Sequence, residues 1–155
     1  MTVRRTITTL TATALFSAAL LASAALAPWD QAKVAELAKQ LLVTTGALAD
    51  AFYKQPVPDV GSLQTRNYEQ LREDVKRIDQ EARKLSGSIG EGAGRDETLP
   101  IYKDLTQHVR SARDEAKRVS SGADVVEKAG SVRAVLNQLG PYYEPDFQAL
   151  QPVNP

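Results

Sequence analysis

Residues 68–89 read YEQLREDVKRIDQEARKLSGSI, and their apolar positions decide the fold. Tyr68, Leu71, Val75, Ile78, Ala82, Leu85 and Ile89 step by 3, 4, 3, 4, 3 and 4 without a break. With 3.6 residues per turn, that spacing puts all of them on one narrow stripe of an α-helix. The outer face carries Glu73 with Arg77 and Asp79 with Arg83, acid first at i,i+4, the stabilising order on a helix surface. A half-buried strand would alternate every second residue, and this stretch does not.

The same period recurs on both sides. Val34, Leu37, Leu41, Thr45, Leu48 and Phe52 mark a first helix, capped by Asp30 and ending near Tyr53 ahead of Pro56 and Pro58. Gly46 weakens its middle. After the second helix, Ser86-Gly87-Ser88 is expected to dissolve the helix into a glycine-rich loop that ends near Arg95. A third helix begins near Asp96, with Pro100 tolerable in the first turn, and carries Tyr102, Leu105, Val109, Ala112, Ala116 and Val119. Ser120-Ser121-Gly122 stops it. Asp124, with Glu127 three residues on, reads as the cap of a fourth helix bearing Val125, Ala129, Val132, Leu136 and Leu139, which Gly140 and Pro141 should end.

One helix cannot bury such a stripe alone, whereas four can close on a shared core, and short turns make sequential helices antiparallel. The expected fold is all-α: an antiparallel up-down-up-down four-helix bundle over residues 26–140, then a proline-rich irregular tail over 141–155. An elongated coiled-coil hairpin that dimerises is the alternative.

Residues 1–25 read as a signal peptide. Arg4 and Arg5 form a positive start, Ile7 to Leu21 is uncharged and increasingly apolar, and Ala22-Ser23-Ala24-Ala25 supplies small residues for cleavage after Ala24 or Ala25. Cleavage after Ala27 would put Pro28 just past the scissile bond, where its fixed φ hinders an extended-backbone protease. The competing reading is an uncleaved anchor, since Thr6 to Trp29 carries no charge. The expected location is periplasmic or secreted, with no stable membrane insertion after cleavage.

Charge and composition exclude several functions. The chain has 19 basic and 19 acidic residues, and loss of Arg4 and Arg5 leaves a net charge of about −2. Nucleic-acid binding needs a basic face and is not expected. There is no Cys, so neither a disulfide nor a thiolate metal site can form. His108 is the only histidine; with no Glu-x-x-His, a di-iron bundle site fails, and packing or a hydrogen bond to Asp104 is the expected role. The Gly87–Gly94 loop lacks both the Gly-Lys-Ser/Thr sequence and the preceding strand of a phosphate cradle. Carboxylates are expected on solvated faces opposite basic partners, away from any apolar pocket that would tune them for acid–base work.

The segment Leu136-Asn137-Gln138-Leu139-Gly140-Pro141-Tyr142-Tyr143-Glu144-Pro145-Asp146-Phe147 closes the fourth helix, after a proline-bearing first connector. In this organisation the chain resembles the cytochrome c-prime type of periplasmic four-helix bundle. That family's Cys-x-x-Cys-His and following aromatic would fall on Gly140, Tyr143, Glu144 and Phe147. Only Phe147 matches in type, so the resemblance implies the bundle and a periplasmic setting but not the family's heme. The b-type relatives use Met and His ligands, and the only Met here is the initiator. A shorter stretch, Ser88-Ile89-Gly90-Glu91-Gly92-Ala93-Gly94-Arg95 with Ser111 downstream, is similar to a motif of cytosolic four-helix bundles linked to ribosomal intervening sequences.

These features point to an exported, non-enzymatic bundle with no cofactor. It would act as an interaction or structural module of the cell envelope, with residues 141–155 docking on an unidentified protein partner. One alternative is a carrier of a small apolar ligand, with Ala82, Ala112, Ala116 and Ala129 leaving space in the core. Another is residual heme binding through His108 or a tyrosine.

Overall fold

A computed structural model describes residues 25–57, 62–119 and 121–152. Most of the segment read as a signal peptide, residues 1–24, therefore lies outside the described residues, as do Pro58 and Gly61 of the first connector, Ser120, and the last three tail residues. Among the described residues the chain forms four helices and no strand: α1 (Gln31–Tyr53), α2 (Ser62–Gly90), α3 (Arg95–Ala116) and α4 (Ala123–Tyr143). None of these helices is long and apolar enough to cross a membrane.

The stripes pack as their spacing demands. All seven apolar positions of α2 are buried, none more than 4% exposed, and Val34, Leu37, Leu41, Leu48 and Phe52 of α1 meet them. Asp30 caps α1 by accepting from the Lys33 N–H at 3.0 Å. The outer-face pairs of α2 form, with Arg77 Nε 3.0 Å from Glu73 Oε1 and Arg83 Nε 2.9 Å from Asp79 Oδ2. α1 packs on α2 and α4, and α2 on α3, while α3 and α4 touch only sparsely.

Four helix boundaries differ from expectation, one of them the end of α3, which stops at Ala116 and leaves Val119 beyond the helix. α2 does not dissolve at Ser86-Gly87-Ser88 but runs on to Gly90. Leu85 and Ile89 are at most 1% exposed, so core burial carries the helix through glycine's weak propensity. It ends in a Schellman turn: Gly92 N–H bonds the Ile89 carbonyl, Ala93 N–H the Ser88 carbonyl, and Gly92 takes φ 96°. α4 is capped by Gly122, not Asp124, which sits inside the first turn where a carboxylate suits the helix dipole. α4 also passes through Gly140 and Pro141 to Tyr143. Tyr143 is 5% exposed, and packing of that ring holds a last turn that proline alone would discourage.

Residues around α1 tie the fold together at one end. Gln31 Nε2 donates to the Ile89 carbonyl at 2.9 Å, Ala27 N–H to the Pro141 carbonyl at 2.8 Å, and Arg95 Nη2 to the Ala27 carbonyl at 2.6 Å. The tail also engages the bundle. Leu150 N–H donates to Asn137 Oδ1 at 2.8 Å, and the Phe147 ring lies over Gly140 so closely that a Cβ there would collide with it.

Candidate functional site

The four positions aligned with a heme motif gather at the end of α4, and the chain's own side chains fill that space. Tyr143 stacks on Tyr102 with centroids 4.2 Å apart and shares a 2.9 Å hydrogen bond with Thr98 Oγ1. Trp29 meets the Tyr143 ring edge-on at 5.6 Å. Gly140 is covered by Phe147, and Glu144 lies 3.9 Å from Arg110. A porphyrin has no room among these rings, so the residues present do not fit the group. Burial pushes both phenols up from the usual 10.0. Tyr102 is raised further by the Glu144 carboxylate, while the hydrogen bond shared with Thr98 partly offsets the rise at Tyr143. The Tyr102 hydroxyl itself has no hydrogen-bond partner among the described residues.

His108 does not bond Asp104. Its Nδ1 lies 3.1 Å from Oδ1 of Asp74 on α2, and Oδ2 of the same carboxylate accepts from Ser111 Oγ at 2.6 Å. Asp74 is 3% exposed and Glu81 7%, so two carboxylates leave the solvated face where they were expected. The helical period had placed His108 beside the α3 stripe; what it could not supply was the register of α3 against α2, which brings residues 34 and 37 positions apart together. In a hydrolytic triad the imidazole stands between hydroxyl and carboxylate. Here the carboxylate stands between the other two, an arrangement that fastens α3 to α2. Among the described residues no group of three or more His, Asp or Glu side chains is placed to hold a metal ion.

At the other end, the sparse contact between α3 and α4 leaves a cleft of about 730 Å³. Phe52 of α1 and Leu71 and Val75 of α2 line it; Ala112 and Ala116 belong to the α3 wall, and Ala129 to the α4 wall. Ala82, the fourth small residue singled out from the sequence, is fully buried elsewhere in the core. Leu150 and Pro152 of the tail border the cleft. Its volume is within the roughly 300–1,000 Å³ of small-molecule sites.

Among the described residues, the charged side chains lining the cleft are Arg110, Arg113, Lys117, Arg118 and Arg133, with no carboxylate among them. Lys117 pairs with Asp114 at 2.8 Å, Arg118 with Glu115 at 3.4 Å and Arg110 more loosely with Glu144. Arg113 and Arg133 pair with no carboxylate among the described residues, and Arg113 Nε is buried without a hydrogen-bond partner. Periodicity had marked the alanines; the cationic walls emerge only when α3 and α4 are set side by side.

Fold and cleft together define an all-helical bundle with an apolar, cation-walled opening between its last two helices. No family model matches the chain, and neither curated proteins nor solved structures provide a match.

Proposed function

We propose that the chain is an exported, non-enzymatic carrier: a signal peptide followed by an antiparallel up-down-up-down bundle that holds a small apolar ligand between α3 and α4. The cleft is the observation that carries this reading, because a packed bundle closes its helices around the core and this one leaves an apolar volume beside three alanines. The anchoring of Ala27 to Pro141 and Arg95 supports cleavage after Ala24 or Ala25, which would leave that anchor in the mature chain.

The alternative is an interaction or structural module of the envelope that docks through residues 141–155. The carrier is favoured because Leu150 and Phe147 are engaged on the chain's own α4. The order of Ser111, Asp74 and His108 supports a non-enzymatic role.

Two measurements test the proposal. Mass spectrometry of the protein recovered from an exporting host should find an N-terminus at Ala25 or Leu26. A neutral fluorescent probe such as N-phenyl-1-naphthylamine should bind saturably, and Ala129→Trp, which fills the cleft, should abolish that binding while the helical circular dichroism is retained. A probe that does not bind the wild-type chain ends the carrier reading.

A further inference from the structure

We propose that the ligand of the α3–α4 cleft is a single-chain fatty acid, its carboxylate held by Arg113 and Arg133 and its hydrocarbon lying against the alanine-lined walls. This rests on the carrier reading and deepens it by naming the ligand's chemistry.

The charge distribution carries the inference. Over the whole chain acids and bases balance at 19 each, yet among the described residues the cleft lining holds five cationic side chains and no carboxylate. Cationic side chains without a carboxylate partner at an apolar opening repel one another, and a bound anion relieves that repulsion. Three of the five already have partners in Asp114, Glu115 and Glu144. The two without a carboxylate, Arg113 and Arg133, stand on opposite walls, one on α3 and one on α4.

Arg113 is the stronger indicator. A guanidinium N–H buried without an acceptor costs free energy, so the Arg113 fork, which lines the cleft, gains by turning toward an acceptor that arrives with the ligand. The planar guanidinium fork receives the two coplanar oxygens of a carboxylate through charge-assisted bonds. The rest of the lining is mostly aliphatic and aromatic, Leu71, Val75 and Phe52 among it, which fits a hydrocarbon tail better than a sugar or a nucleotide. One chain suits a cleft of about 730 Å³ better than the two tails of a membrane phospholipid.

The experiment compares ligands of one length below their micelle concentrations. Binding of decanoate, decanol and decyl phosphate to the purified full chain is measured by displacement of the neutral probe, with Arg113→Gln, Arg133→Gln and, as an outer-face control, Arg77→Gln. The expected result is decanoate at least tenfold tighter than decanol, an advantage that shrinks with added salt. Each cleft substitution should remove most of that advantage while leaving decanol binding and helical content unchanged, and Arg77→Gln should change neither.

Equal affinity for decanoate and decanol would overturn the head-group assignment and leave the carrier reading standing. Tighter binding of decyl phosphate, or displacement of the probe by an acidic amphipathic peptide at lower concentration than decanoate, would overturn the fatty acid. Failure of the neutral probe itself removes the carrier reading and this inference together, so the two failures are distinguishable.

Discussion

Asp74 takes two hydrogen bonds from α3 and is almost wholly enclosed, so its loss is felt by both helices. Asp74→Ala should destabilise the fold by about 1.5–3 kcal/mol, the range for hydrogen bonds to a charged group. Asp104→Ala, at an exposed position, should change stability by less than about 0.5 kcal/mol. Urea unfolding with an unchanged m-value would check both, and equal effects would return His108 to the partner expected from the sequence. Tyr102 and Tyr143 give the chain an alkaline limit. Their folded-state pKa values lie above 10.0, so the native state keeps protons that the unfolded chain releases. That contribution to stability is complete below about pH 10 and is lost as the pH rises beyond it. Tyr102→Phe should flatten the loss above about pH 10 in thermal melts. Near neutrality it should be neutral or mildly stabilising, because it removes a buried hydroxyl that has no partner.

For the helices, capping signals and spacing placed the starts of α1 and α3 to within a residue, and the spacing marked most of the residues that face inward. It failed at the C-terminal ends of α2 and α4, though not at Tyr53, where α1 stops as expected. Ser86-Gly87-Ser88 and Gly140-Pro141 carry the local signals of termination, yet Ile89 and Tyr143 lie beyond them and are buried. Long-range packing outweighed local propensity in both cases, and a single sequence does not show which distant ring will cover a glycine. Gly46 and Gly140 test that balance in opposite directions. At Gly46 an added Cβ meets nothing nearer than Asp79 Oδ1 at 3.9 Å, so Gly46→Ala should stabilise α1 by roughly 0.5–1 kcal/mol. Gly140→Ala gains the same propensity but collides with Phe147, and overpacking of this kind costs about 1–3 kcal/mol. It should destabilise the chain, and the cost should vanish in a Phe147→Ala background; additive effects would mean that the ring does not sit on Gly140.

At the scale of the whole molecule, periodicity foretold a four-helix, all-α chain and the alanines beside an opening, but not the sign of the opening's walls. Charges on α3 and α4 look like solvated faces until the two helices lie together. The segment before α1 belongs to the fold as well. A chain starting at Asp30 lacks Ala27 and the half-buried Trp29, and should lose about 2 kcal/mol by thermal or urea unfolding. The stacked tyrosines join α3 to α4 near residues 98–105 and 139–143, whereas residues 112–119 and 123–129 stand apart from each other across the cleft, backed by α1 and α2 and bordered by the tail. A pair of rods pinned at one end behaves as a clothes-peg: the aromatic stack is the fulcrum and the alanine-bearing halves are the jaws. Amide exchange should therefore quicken steadily from the pin toward the tips, and the width to which the tips spread would set the bulk of cargo the grip accepts.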